Sequence, residues 1–167
     1  MDFGLPPIMA RGLNFCNRKN PYDQSKIPDL VSSMEKGWPI LAYPKNNGTK
    51  FWAHEWNKHG TCSESVLDQH AYFQASLNLK KKVNLLQNLK NVGINPDGKL
   101  YTMASITKAI TDALGFAPAV IRCNTDPSGH SQLHKIYICL DSSGSNLITC
   151  PLFLKSGCRS EIEFHPF

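Results

Sequence analysis

The sequence has no apolar run approaching the ~18 residues that a membrane-spanning helix needs, and its mean hydropathy is −0.30. It has no C-x-x-C pair, which leaves zinc ribbons and thioredoxin-like redox motifs without support. It has no internal repeat, low-complexity tract or linker-like stretch, so a single domain is expected over residues 1–167. Charge is sparse: 19% of residues are charged against 41% hydrophobic, which excludes disordered and collagen-like chains and fits a soluble globule. The basic excess is also small. Eighteen Lys and Arg against 13 Asp and Glu give +5, compatible with a polyanionic partner but not diagnostic of one. The first residues, Met1-Asp2-Phe3-Gly4-Leu5-Pro6-Pro7, lack the basic and apolar regions of an export signal.

What is present points the other way on compartment. Six cysteines (Cys16, Cys62, Cys123, Cys139, Cys150 and Cys158), eleven prolines and the glycosylation sequon Asn47-Gly48-Thr49 read as a disulfide-framed chain of an oxidising compartment. An even cysteine set gives no hint of an intermolecular bridge, so a monomer is expected.

Hydrophobic periodicity predicts a helix from Pro21 to Lys36, through Ile27, Leu30, Val31 and Met34, closed by Gly37 and Pro39. A longer helical stretch is expected from Ser63 to Val92, broken near Asn78, where the spacing loosens. Asn95-Pro96-Asp97-Gly98 reads as a turn, and Ala104 to Leu114 as a helix with Gly115 as its C′ residue. Short β-branched runs follow at Ala119–Cys123, Leu133–Leu140 and Asn146–Cys150, separated by Pro-Ser-Gly and Ser-Ser-Gly-Ser turns. Helices first and strands later predict an α+β domain with an antiparallel sheet.

Reactive side chains concentrate in Phe51-Trp52-Ala53-His54-Glu55-Trp56-Asn57-Lys58-His59-Gly60-Thr61-Cys62. On a helix, Glu55 and His59 are one turn apart, as are His54 and Lys58, and the two pairs lie side by side. Three readings compete. A metalloprotease site needs H-E-x-x-H, and here the spacing is H-E-x-x-x-H, one residue too long. An amphipathic helix whose His and Trp merely cover a core is the bland alternative. The third is acid–base chemistry on an anion, with an imidazole near its working pKa and Lys58 and a second imidazole holding a phosphate.

The same segment resembles the second active-site segment of the ribonuclease T2 family, in particular the plant S-like ribonucleases. Residues 20–43, His70-Ala71-Tyr72-Phe73, Asn95-Pro96-Asp97-Gly98, Ile121-Arg122-Cys123-Asn124, Gln132 through Cys139 and Glu161-Ile162-Glu163-Phe164 carry the resemblance further, over about residues 12–167. It implies the family's α+β fold, with helices packed on an antiparallel sheet. It also implies cleavage of single-stranded RNA without metal or cofactor, leaving 2′,3′-cyclic phosphate ends, and a secreted, extracellular or vacuolar location. His59 matches the general base, Glu55 and Lys58 the groups that stabilise the pentacoordinate state, and His54 a phosphate-binding imidazole. Glu55 beside His59 is expected to raise the imidazole pKa. The resemblance further implies the pairings Cys16–Cys62, Cys123–Cys158 and Cys139–Cys150.

The family's first active-site segment, of the type Phe-Gly-Ile-His-Gly-Leu-Trp-Pro, supplies the acid that protonates the leaving oxygen. Here Asp2 to Gly12 stands in its place, with Pro6 or Phe3 at the histidine position according to the alignment, and no His precedes His54. Tyr43 stands where plant relatives carry a cysteine. Together these losses suggest a diverged relative more than a mis-set start, and an enzyme of impaired activity. The rival is an inactive ribonuclease-like protein with an RNA-binding, defence or storage role. His70, His130, His134 and His165 are the remaining imidazoles, poor candidates for a replacement acid. Lys80-Lys81-Lys82 reads as a solvated helix face rather than an RNA-steering one, and Trp38 as packing.

Overall fold

Pro28 decides how the first helix begins. Lacking an N–H, and disfavouring the α conformation at Ile27 before it, it splits the expected Pro21–Lys36 helix in two. A 3₁₀ turn at Gln24–Lys26, capped by the Asp23 carboxylate on the Ser25 N–H, precedes Ile27, whose backbone leaves the helical region at φ −137° and ψ 35°. The first α-helix, α1, then runs Val31–Gly37. The computed structural model describes residues 14–39, 48–115, 119–141, 143–150 and 156–166. Asp2 to Gly12, Tyr43 and Asn47 of the sequon lie outside the described residues.

The chain divides into two compact units. One comprises the described residues up to Lys82 together with Asp141 and residues 143–146. It holds α1, α2 (Thr49–Lys58), a 3₁₀ turn at Gly60–Cys62, and α3 (Gln69–Lys82). Its core is aromatic. Trp52, Trp56, Tyr72 and Phe73 are at most 1% exposed, and Ile27, Leu30, Met34, Leu67 and Leu77 fill in around them. Phe73 meets Tyr22, Trp38 and Tyr72 edge-on, and Trp38 also meets Phe51 at 5.9 Å between centroids. Such edge-to-face contacts are the favoured geometry of aromatic quadrupoles. All three tryptophans are thus committed to packing. The buried Gln69 amide clamps Asp23, its Oε1 accepting from the Asp23 N–H at 2.9 Å and its Nε2 donating to the Asp23 carbonyl at 2.7 Å. Cys16–Cys62 closes a span of 46 residues across this unit.

The other unit holds α4 (Leu85–Asn91), β1 (Leu100–Thr102), α5 (Met103–Leu114), β2 (Val120–Thr125), β3 (Ser131–Tyr137), β4 (Cys139–Leu140), β5 (Leu147–Ile148) and β6 (Glu161–Glu163). Ile106, Ala109, Ile110 and Leu114 recur at helical spacing on the buried face of α5, and Thr102 and Gly115 close its two ends. Four strands pair in the order β1-β6-β3-β2, and β4 pairs with β5. The larger sheet is mixed where an antiparallel one was expected. β1–β6 and β2–β3 are antiparallel, but β3 and β6 run parallel, with Gln132 opposite Glu163. Residues 138–160 lie between these strands, long enough for the return a parallel pair requires. The bulge between Arg122 and Cys123 coincides with the Cys123–Cys158 bridge, and Cys139–Cys150 joins the first residue of β4 to the chain after β5. All three bridges are those that the family resemblance implied.

Two further expectations shift. The long helical stretch breaks at Val83–Asn84 rather than at Asn78, because the Asn84 side chain accepts from the Gln87 N–H and caps a new helix. Asn78 stays inside α3, exposed and bonded to Gln74 one turn back. β1 and β6, three residues each, escaped the sequence reading: they are too short to show alternation.

Replacing Gln69 by Met should lower stability by about 1–3 kcal/mol, since both Asp23 backbone groups lose their partner. Gly60→Ala should cost about 1–3 kcal/mol through overpacking, because its Cβ would collide with the Trp56 ring. Urea denaturation with disulfides intact measures both.

Candidate active site

Helix α2 is positioned by its two tryptophans. Spaced one turn apart, both are fully buried, and their indole N–H groups reach the Trp38 carbonyl at 3.3 Å and the Asn20 carbonyl at 3.0 Å. Glycines bracket the pair. Gly48, with φ at +80°, starts the helix, and Gly60 follows its end; a Cβ at either would collide with an indole. With about 100° between successive residues, the rest of the helix surface follows. Measured from Trp52, His59 lies about 20° away, Glu55 about 60°, Lys58 about 120° and His54 about 160°. The burial agrees: His59, Glu55 and Lys58 are half-buried and His54 is exposed. All four predicted residues therefore fall on one side of α2 and its C-cap, graded from the core outward.

His59 ends the helix. Its N–H donates to the Glu55 carbonyl at 2.9 Å, the last helical bond, and its carbonyl accepts from the Cys62 N–H at 3.0 Å. Its Nδ1 is buried and has no hydrogen-bond partner among the described residues. Burial holds the imidazole below its ordinary pKa, and the positive charges of Lys58 and His54 push the same way. This reverses the expectation that Glu55 would raise it. Desolvation is the larger influence, and the interactions with Lys58 and His54 add to it. The Glu55 charge instead bears on Tyr72, whose hydroxyl is pushed well up, chiefly by burial and secondarily by that carboxylate. Tyr72 lies edge-on to Trp56 at 5.6 Å.

The sequence reading overlooked Tyr72 as part of this environment, because its spacing in α3 reads simply as core. It also overlooked Asn57, whose Oδ1 accepts from the Tyr22 N–H at 2.8 Å and ties α2 to the segment before α1. Among the other imidazoles, His70 bonds Asp29 at 3.0 Å, His130 bonds Asp126 at 3.3 Å and His165 bonds Glu163 at 3.3 Å. Asp126, His130 and Glu163 bring ligand-type atoms within 4.8 Å of one another in the sheet-bearing unit. Lys80 turns its ammonium to the Gly37 carbonyl, while Lys81 and Lys82 are exposed. Among the described residues no helix is long and apolar enough to cross a membrane.

An imidazole whose pKa burial lowers, beside a carboxylate, an ammonium and an exposed imidazole, suits proton transfer at an anionic centre. Comparisons with known proteins show the family. Residues 4–150 match the family model of the Ribonuclease T2 family. Ribonuclease 1 of Arabidopsis thaliana is 56% identical over 152 residues, 91% of this chain and 66% of that protein. Extracellular ribonuclease LE of Solanum lycopersicum is 52% identical over 153 residues, with the same two coverages. The chain thus spans slightly less than two thirds of the length of these relatives. The crystal structure of RNase NT in complex with 5′-AMP superposes with a TM-score of 0.83 at 49% identity, covering 92% of this chain and 75% of that one. A mutant of RNase MC1 in complex with 5′-UMP gives 0.79 at 31% identity, covering 90% and 75%. On the family match and these identities, the chain belongs to the Ribonuclease T2 family.

Proposed function

We propose that this protein cleaves single-stranded RNA by transesterification without a metal ion. The observation that carries the reading is the half-buried His59, held below its ordinary pKa beside Glu55, Lys58 and His54 on one side of α2. A base must be neutral to accept a proton, and a lowered pKa extends toward acid the range in which it is neutral. Because Nδ1 is buried, Nε2 is the nitrogen that receives the 2′-hydroxyl proton. The 2′-oxygen then bonds to the adjacent phosphorus, the bond to the 5′-oxygen breaks, and a 2′,3′-cyclic phosphate remains. Lys58 and Glu55 stabilise the pentacoordinate state, Lys58 by offsetting charge on the non-bridging oxygens, and the exposed His54 binds the phosphate. The 5′-AMP and 5′-UMP held by RNase NT and the RNase MC1 mutant support a nucleotide ligand.

The leaving 5′-oxygen also needs a proton. On the reading that Pro6 or Phe3 stands at the histidine position of the first active-site segment, water supplies that proton. A general acid supplies about 10²–10⁴-fold of rate, so cleavage should be weaker than in relatives by about that factor. The three disulfides support a protein of the secretory route.

Incubating the oxidised protein with single-stranded RNA at about pH 5–6 in the presence of a chelator should yield cyclic phosphate ends, and His59→Ala should remove at least about 10²-fold of the rate. Cleavage that survives in His59→Ala, or that the chelator abolishes, would overturn the assignment.

The pH profile gives an independent check. The acid limb of kcat/KM should lie below the ordinary imidazole value of about 6.5. Lys58→Met removes a charge that opposes protonation of His59, so the limb should move to higher pH as the overall rate falls. A limb that moves to lower pH would contradict the proposed electrostatics.

A further inference from the structure

The loop that joins β2 to β3 brings an acid and an imidazole together. Pro127-Ser128-Gly129 closes it, with Gly129 at φ 87°. The Gly129 N–H donates to the Asp126 carbonyl at 3.0 Å, and the Asp126 N–H donates to the His130 carbonyl at 3.0 Å. Asp126 and His130 thereby face each other one pair beyond Thr125 and Ser131 in the ladder. Strand side chains alternate between faces, so the two share a face with Asn124 and Gln132, and Gln132 is the residue opposite Glu163 in β6. The result is a compact set: one ligand-type atom from each of Asp126, His130 and Glu163, all within 4.8 Å of one another.

The set has the charge and the support that a cation site needs. Its two carboxylates are largely covered, 18% and 16% exposed, and their ion-pair partners among the described residues are imidazoles, His130 and His165 at 3.3 Å, with no Lys or Arg. Both carboxyls are held below their usual range, Asp126 chiefly by the His130 N–H and Glu163 chiefly by the Gln132 amide, while the Asp126 charge opposes ionisation of Glu163. Near neutral pH, two anions therefore converge and no permanent cation among the described residues pairs with either. Each is also oriented from behind. Asp126 Oδ1 accepts from the His130 N–H at 2.7 Å, which turns Oδ2 to His130 Nδ1. Gln132 Nε2 donates to Glu163 Oε2 at 3.1 Å, His165 Nδ1 bonds Oε1 at 3.3 Å, and Asn124 donates to Gln132 at 3.4 Å. Outer partners of this kind fix the ligands of metal centres.

We propose that Asp126, His130 and Glu163 bind one divalent transition ion of the zinc class, which clamps the β2–β3 loop to β6. Two carboxylates match its charge, and the imidazole nitrogen selects it over Mg²⁺ and Ca²⁺, which favour oxygen ligands alone. Bonds of about 2.0–2.2 Å need the three atoms to draw together by about 1 Å, and the exposed His130 ring has the room to turn. On binding, His130 Nδ1 exchanges its contact with Asp126 Oδ2 for the ion and the ring proton sits on Nε2; water completes the coordination. The clamp matters because β6 is only three residues long and meets β3 at a single register pair. The ion is structural and takes no part in the cleavage proposed above, so the two readings stand or fall separately.

Calorimetric titration of the oxidised, chelator-stripped protein with Zn²⁺ tests this in a His54→Ala/His59→Ala background, which removes the imidazoles of α2 as a competing site. One ion per chain should bind. His130→Ala should weaken it by more than about 100-fold, and Gln132→Leu, which only unsettles Glu163, by about 10–100-fold. His134→Ala, at an exposed imidazole of β3 outside the set, should change nothing. At free Zn²⁺ of about a hundred times Kd, amide hydrogen exchange in β6 should slow by up to about 100-fold. No binding, binding unchanged in His130→Ala, or an equal loss in His134→Ala would overturn the site, and so would Ca²⁺ or Mg²⁺ competing on equal terms, which would mark a mere acidic patch. Binding without slower exchange in β6 would overturn the clamp. Circular dichroism separates lost ligation from lost folding, and Asp126→Asn, which keeps the side chain's shape, should lose the ion as His130→Ala does.

Discussion

The packing of Trp52 and Trp56 into one aromatic core is the constraint from which the candidate site follows. Two indoles one turn apart can both be buried only if their helix lies flat along that core, and both N–H groups must then find carbonyls, as they do at Trp38 and Asn20. Once that face is pinned, helical geometry leaves no freedom in where His54, Glu55 and Lys58 emerge. Gly48 and Gly60 are the corollary, since each backbone passes closer to an indole than a side chain would allow. The reactive groups are exact by consequence: they sit on a rigid element whose rotation about its axis is set by the largest side chains in the unit.

Around this anchor, polar ties replace the secondary structure that the segment before α1 lacks. Gln69 fills both backbone groups of Asp23, Asn57 accepts from Tyr22, Glu64 accepts from Asn17 and Asn20, and the Lys58 carbonyl accepts from Phe15. An irregular segment lying against a core must satisfy its backbone groups somewhere, and here side chains of α2 and α3 and the Lys58 carbonyl do so, while Glu64 holds the Asn17 and Asn20 side-chain amides. Cys16–Cys62 adds a covalent limit on how far that segment can move from the end of α2. In the sheet-bearing unit the other two bridges act on a different problem, fastening the chain after β5 and before β6 to strands of only two and six residues.

Much of this was legible beforehand, and the failures have specific causes. The helix over α5, its glycine end and the helix–strand order were visible because they rest on local periodicity and capping. The break expected at Asn78 instead fell at Val83–Asn84, because a cap outweighed a loosening of apolar spacing. The Pro28 interruption was readable in principle, yet Ile27, Leu30, Val31 and Met34 share a spacing that a 3₁₀ turn followed by a helix reproduces almost as well as one continuous helix. The parallel β3–β6 pair was not readable, since neither strand's pattern depends on the direction of its neighbour.

The four site residues mark the same division. Their type and spacing alone established that an imidazole, a carboxylate, an ammonium and a second imidazole would share one side of a helix, because side-chain direction on a helix is a local property. Which group would titrate abnormally, and in which direction, was not local. The sequence set Glu55 one turn from His59 and suggested a raised imidazole pKa; burial in the folded unit, with Lys58 and His54 nearby, lowered it instead. Desolvation depends on what covers a side chain, and that is decided only when distant segments have packed. The same holds for Phe15, whose backbone is fixed to the end of α2 only by the neighbouring bridge at Cys16 and by the Lys58 carbonyl.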